Sequence, residues 1–439
     1  MSRLSGKRQA RNLALLTLLA ASDVYAGGGY FALGYGPIAR QMGGATTALV
    51  GDAFAGASNP AKWRAAGNRV DIGAEFFMPY RRIERTGSGT VYDFATTSAH
   101  DVFIIPEGAY SRQLSDRTAV GITVYGNGGL NTEYRGDNGV PGSNAAPAAC
   151  GGKPANFVLG CDKFGVDIMQ LVVAPGGAVE VLPGHTLGIA PLLVLQRFEA
   201  YGLQAFAPFS KQPSDLTNRG WDWALGAGAR VGWLGEISDR LTLGAAYATR
   251  VYMDEFDHYE GLLADGALDI PANYSLGFAL RVTPTLTTTF DYHRIEFGDV
   301  PATGNGVLNT LLNPGDNPLG SSSGSGFNWQ NQDNFRTGVA FAWSSHLVLR
   351  AGYAYGARPQ RDSGLNSVTL NMLTPTAEHQ LSAGFSWQPN AAHELHVAYS
   401  HFFAPDYGGP SATALLGVGG REKISAHVNT VMIAWSWRL

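Results

Sequence analysis

The sequence is short of charge, of cysteine and of long apolar runs. Lys, Arg, Asp and Glu together make up 15% of the 439 residues, against about 25% in an ordinary soluble protein, so something other than water must face much of the surface. Only two cysteines occur, Cys150 and Cys161. No histidine lies near them, which excludes a metal site there. Past the amino terminus, no apolar run approaches the roughly 20 residues that a membrane-spanning helix requires. A chain that faces a bilayer without helical spans has one way left to satisfy its backbone hydrogen bonds, a closed barrel.

What is present begins with a basic leader. Arg3, Lys7, Arg8 and Arg11 precede an uncharged run over residues 13–22 and the small-residue end Val24-Tyr25-Ala26. This reads as a secretory signal peptide over residues 1–26, with cleavage after Ala26. The apolar stretch is about half the length of a spanning helix. Removing four basic residues and one acidic residue leaves 27 and 34, a net charge of −7. That balance gives no reason to expect nucleic acid as a partner. Secretion also means an oxidising destination, which favours a short-loop disulfide between Cys150 and Cys161; the sequence itself leaves open whether they pair.

Alternation carries the fold class. At the carboxy-terminal end Val431, Ile433, Trp435, Trp437 and Leu439 alternate with Thr430, Met432, Ala434, Ser436 and Arg438. Leu381, Ala383, Phe385 and Trp387 do the same against Ser382, Gly384, Ser386 and Gln388, and so does the stretch from Leu347 to Ala354. A soluble sandwich would turn a charged face outward, whereas here the second face is mostly small residues, as in a barrel whose apolar face meets lipid. Tight polar turns fall at residues 114–117, 183–185, 237–240, 283–285, 344–346 and 388–393. Long connections rich in Gly, Asn, Pro and Ser lie between them, for example 135–164, 207–220, 300–332 and 403–421. Short and long connections alternate, the short ones being periplasmic in outer-membrane barrels. Six turns join twelve strands; a first strand near residues 70–79 and a last one ending at Leu439 give an all-β, 14-stranded antiparallel transmembrane β-barrel over residues 70–439.

Residues 27–69 do not alternate. Tyr30, Phe31, Leu33, Met42, Leu49, Val50, Phe54 and Trp63 make the segment too apolar for a disordered tail. The expectation is an N-terminal hatch, a plug in the lumen. A general diffusion porin would begin its first strand almost at once. Gly320-Ser321-Ser322-Ser323-Gly324 matches the nucleophile-elbow spacing of hydrolases, but it lies in a Ser/Gly loop with no strand-turn-helix around it, so an enzyme is not expected, nor a cofactor or metal.

Several runs carry a family likeness. Residues 45–61, ending Ser58-Asn59-Pro60-Ala61, resemble the amino-terminal hatch of the FadL family of long-chain fatty acid and hydrophobic compound transporters. Residues 124–134, with Gly126, Asn127, Gly128 and Gly129, resemble its third strand. Residues 256–263 followed by 269–274 are similar to its seventh and eighth strands, and residues 349–353 to its eleventh. One departure is the final Leu439, where such barrels usually end on an aromatic residue. The resemblance implies a monomer in the Gram-negative outer membrane, among its lipids and lipopolysaccharide, that carries hydrophobic small molecules, most expectedly long-chain fatty acids, with aromatic hydrocarbons as the other class. Ligand would be caught in a groove among the external loops, pass to a pocket at the hatch, and leave sideways where the third strand kinks. Glycine within a strand marks such bends.

Loop apolar residues that ask for an explanation are Phe206, Phe209, Leu216, Leu262, Leu263 and Leu268. Strand phase puts Asp71, Glu75, Asp222, Arg230, Arg250, Arg281, Asp291, Arg336 and Arg350 in the lumen. They read as a network fixing the hatch, or as a source of one or two arginines for a carboxylate. The candidates are Arg350, Arg336 and Arg197. Arg197 lies where the resemblance places a basic contact, although alternation from Leu193 and Leu195 points it outward unless a bulge intervenes.

Overall fold

The structure, a computed structural model, describes residues 28–136, 150–361, 370–403 and 406–439; the expected signal peptide lies outside them. Fourteen long strands form one closed antiparallel sheet. In chain order they are β1 (Arg69–Thr86), β2 (Phe103–Ser115), β3 (Thr118–Tyr134), β4 (Phe164–Leu182), β5 (His185–Tyr201), β6 (Asp222–Glu236) and β7 (Leu241–Ala248). They continue as β8 (Asn273–Arg281), β9 (Leu286–Ile295), β10 (Gln332–Ser344), β11 (Leu347–Gly356), β12 (His379–Asn390), β13 (His393–Phe403) and β14 (Arg421–Arg438). Closure is between β1 and β14, in register from Arg69↔Arg438 to Thr86↔Arg421. It leaves no sheet edge along that seam, as a bilayer demands.

All six tight turns join strands where the alternation puts them. The first strand is longer than the segment read from sequence, running to Thr86, because its upper half stays paired with β14 as far as Arg421. Side chains alternate along the wall. On β1, Ile72 and Phe76 face out while Asp71, Glu75 and Phe77 are buried inside. Residues 256–263, similar to a strand of the FadL family, are instead a loop between β7 and β8, turned back by the bonds Tyr259 N to Phe256 O and Leu263 N to Tyr259 O. Their apolar side chains serve the interior of a loop cluster rather than a sheet face. Among the described residues no helix is long and apolar enough to cross a membrane.

Residues 28–66 run inside the barrel and are almost wholly buried. They form only short helical turns, at Pro37–Gln41, Ala55–Ser58, Pro60–Lys62 and Trp63–Ala66. The absence of period follows from the surroundings: a segment enclosed by wall on every side has no single apolar face. Small wall residues admit it. A Cβ on Gly188 would overlap Ala61 N, and one on Gly352 would overlap the Met42 carbonyl carbon. Cys150 and Cys161 are joined by a disulfide.

Candidate functional site

The N-terminal segment is held by bonds from wall side chains to its backbone. Glu107 accepts from Gly36 N (2.8 Å), Asp291 from Thr47 N (2.7 Å) and Asp71 from Ala53 N (2.5 Å). Arg40 pairs with Glu75 at 2.7 Å. Asn59 shows how much one motif residue does: its amide donates to Thr47 O (3.0 Å) and to Trp233 O of β6 (2.9 Å), and its oxygen accepts from Ala61 N (3.1 Å). Pro60 and Ala61 follow as the start of a 3-10 turn, with Pro60 at the position where a missing N–H costs nothing. Buried polar groups in such a place must be satisfied, which is why this stretch reads as a fixed element.

The lumen charges divide. Asp71, Glu75, Arg230, Asp291 and Arg336 are buried inside. Arg281, in phase with them, is exposed, because it ends β8 at the rim beyond the lumen contents. Arg250 pairs with Asp269 at 2.7 Å, and Asp222 accepts from His258 N at 2.9 Å in the loop region. Arg350 donates to Gln41 Oε1 (2.8 Å) and Ser386 Oγ (2.5 Å), and so ties the first helical turn to the wall. Arg336 bonds to His293 Nδ1 (2.7 Å) and Gly44 O (3.5 Å). Arg197 points out of the barrel. The β5–β6 ladder is regular past it, so no bulge restores its phase, and it stacks at 3.9 Å on the exposed ring of Trp221.

The third strand is bulged at Asn127, where the register with β4 slips between Gly126 and Gly128. On its other side the β2–β3 ladder stops at Gly108↔Val124, while β2 continues along β1 to Phe103. From Tyr125 upward β3 therefore has no β2 partner among the described residues. Residues 30–32 of the N-terminal segment lie against that bare edge: Ala32 N donates to Asn127 O (3.0 Å) and Gly129 N to Tyr30 O (3.2 Å). Gly128 permits the approach, since a Cβ there would overlap Tyr30 O. The Asn127 side chain faces inward, accepting from Tyr35 Oη (2.8 Å) and donating to Gln170 Oε1 (2.8 Å).

Above this point lies an apolar cavity of about 1130 Å³, counting its open mouth. The barrel lends it Leu130, Ile168 and Phe198, and the external loops add Leu263, Leu268 and Phe327 among others. Among the described residues no charged side chain lines it; Thr310, Ser325 and Thr413 are the hydroxyl-bearing members. Of the groove candidates, Phe206, Leu262, Leu263 and Leu268 line the cavity, while Phe209 and Leu216 do not. Phe209 ends a 3-10 turn and its carbonyl accepts from Leu319 N at 2.9 Å, and Leu216 is fully buried. The connection over residues 300–332 supplies Ala302, Val307, Leu308, Leu311 and Leu319. From sequence it reads only as a long loop, although its apolar content is the available signal. Deeper in, one small cavity lies beside Tyr125 and Asn127, and another is lined by Tyr35, Arg230, His293 and Arg336.

The family profile described as outer membrane protein transport protein (OMPP1/FadL/TodX) matches residues 200–438. The chain belongs to this family. It is an outer-membrane barrel of the FadL/TodX kind that transports hydrophobic compounds, and not an enzyme. No curated protein matches the sequence. Solved structures agree on the fold. The Pseudomonas putida toluene transporter TodX superposes with a TM-score of 0.65 at 17% identity, covering 92% of this chain and 99% of its own. A Pseudomonas aeruginosa FadL homologue gives 0.65 at 15%, covering 95% and 100%. The Ralstonia pickettii toluene transporter TbuX gives 0.60 at 17%, covering 92% and 98%.

Proposed function

We propose that this FadL/TodX barrel takes up small uncharged hydrophobic molecules, of the class of monoaromatic hydrocarbons, and passes them sideways through the wall at β3. The observation that carries the ligand class is the lining of the outer cavity, apolar but for three hydroxyl groups and, among the described residues, without a cation. Desolvating an ionised carboxylate into such a space costs far more than the apolar contacts return, whereas a methylated benzene ring forfeits nothing. Two relatives in fold are named as toluene transporters, in keeping with this reading.

Residues 27–69 act as the hatch, with residues 1–26 removed on secretion and residues 70–439 forming the barrel. Ligand collects among Phe206, Leu262, Leu263 and the 300–332 loop, then moves down past Leu130. The unpaired edge of β3 from Tyr125 supports the exit: it is the place where the β2–β3 ladder is broken, and residues 30–32 fill it from the lumen side. Their displacement opens the way to the surrounding outer-membrane lipid and lipopolysaccharide.

A second reading, a long-chain fatty acid, is favoured by Arg230 and Arg336 in the deep polar cavity, where Arg336 bonds to an imidazole and a carbonyl rather than to a carboxylate. Uptake of labelled toluene and labelled oleate by cells that express the barrel, in a strain without other such channels, separates the two. Toluene uptake should rise several-fold and oleate uptake should not. The reverse result would place the ligand among fatty acids.

A further inference from the structure

The broken ladder has an upper end as well as a lower one. Residues 98–100, from the connection between β1 and β2, return to the bare edge of β3: Ala99 N donates to Glu133 O at 2.8 Å, and Glu133 N donates to Ser98 Oγ at 3.1 Å. Arg81 of β1, 2% exposed, spans the same place and donates to the carbonyls of both Asn131 and His100. The His100 ring bonds to Asn131 Oδ1 at 2.6 Å and stands 3.7 Å from Glu133, which Lys163 also holds at 2.8 Å. The opening thus lies between Gly108↔Val124 below and this polar strap above. Ile105 faces Gly126 across it, a Cβ on Gly126 standing 3.0 Å from Ile105 Cγ2.

We propose that Arg81, acting with residues 98–100, is the lintel of the wall opening, and that it sets the largest ligand able to leave sideways. The chemistry suits the position. Where β2 no longer lies between β1 and β3, carbonyls on the bare edge need donors that the bilayer cannot supply. A guanidinium presents several donors in one rigid plane and serves two carbonyls at once. Arg81 is a positioning residue: it touches no ligand and works by holding the upper half of β3 to β1. Loss of the fork removes these two bonds at the edge that faces β1, and the opening widens.

The lintel role rests on the sideways exit, and the experiment keeps the two apart. Initial uptake of labelled toluene and of the bulkier naphthalene is measured in cells expressing wild type, Arg81→Met, Arg81→Lys and Gly126→Phe, each checked for the heat-modifiable mobility of an assembled barrel. Arg81→Met should raise the naphthalene-to-toluene ratio several-fold, Arg81→Lys should stay near the wild-type ratio, and Gly126→Phe should stop both compounds by filling the opening. An unchanged ratio in assembled Arg81→Met, with Gly126→Phe still blocking, overturns the lintel and leaves the sideways exit standing. Wild-type uptake by Gly126→Phe overturns the exit and the lintel with it. Should Arg81→Met fail to assemble, His100→Ala, which removes the ring's contacts with Asn131, Glu133 and Phe103 and leaves the strap's backbone in place, decides on the same ratio: a rise supports the lintel and an unchanged ratio overturns it.

Discussion

Tyr35 Oη donates a 2.8 Å hydrogen bond to Asn127 Oδ1, so the lumen segment and the bulged residue of β3 are one buried unit. Asn127→Ala strands the Tyr35 hydroxyl and the Gln170 carbonyl, each a buried group losing its partner at about 1–3 kcal/mol. Tyr35→Phe leaves the Asn127–Gln170 bond in place and costs less, at roughly 1 kcal/mol. The denaturant midpoint of the purified barrel should fall more for Asn127→Ala than for Tyr35→Phe. Equal effects would mean that Asn127 is not shared between the two elements.

Gly128→Val tests the close approach of residues 30–32. Its Cβ would overlap Tyr30 O, side chain against backbone with nothing flexible to give. The barrel should assemble with the Ala32 amide losing most of its hydrogen-exchange protection, because its bond to Asn127 O is broken. Retained protection at Ala32 would show that β3 rather than the N-terminal segment gives way.

The barrel wall was legible because period two, tight turns and long loops are local signals: Val431 to Leu439 and the turn at residues 388–393 describe themselves. The site was legible only in pieces. Phe256 and Leu263 look like strand residues, since a sealed loop cluster and a lipid-facing strand ask for the same apolar side chains. Arg197 is placed correctly by alternation and misplaced by family likeness. The glycines among residues 126–129 signal a bend in the third strand but not the loss of its ladder to β2, because register is a property of pairs far apart in the chain, and the donors that cap the break, Arg81 and His100, look like ordinary loop-end polar residues.

The disulfide between Cys150 and Cys161 closes a loop with a sequence separation of 11. For a loop of this size it constrains the unfolded chain by roughly 3 kcal/mol, all of it confined to an external connection. Cys150→Ser/Cys161→Ser should therefore leave the heat-modifiable transition of the barrel in place while making the connection a protease site. Free thiols titrating in the unreduced, unfolded wild-type protein would contradict the bond.

Burial inside the lumen pushes the Asp52 carboxyl up to about 6, with the neighbouring Asp71 carboxylate adding to the shift. The neutral form is thus favoured in the folded state. In the unfolded chain the group ionises near the ordinary carboxylate value of about 3.9. The folded state accordingly holds more protons between these two values, and the contribution of Asp52 to holding the N-terminal segment in the lumen falls as pH rises from about 4 to 6. Above that window the loss is complete. Amide protection of Ile38, whose N–H donates to Asp52 Oδ2, should fall across the window, after correction for intrinsic exchange, by less in Asp52→Asn than in wild type. An identical fall in both would assign the dependence to other groups.

The position of a bound, uncharged aromatic ligand is the most direct test of the proposed route. Crystals of the barrel soaked with 4-bromotoluene should show anomalous bromine density in the cavity between Phe198 and Phe327, beside Leu130 and Leu268, with none against Arg336. Bromine density confined to the deep polar cavity, or found only on the lipid-facing wall, would contradict it.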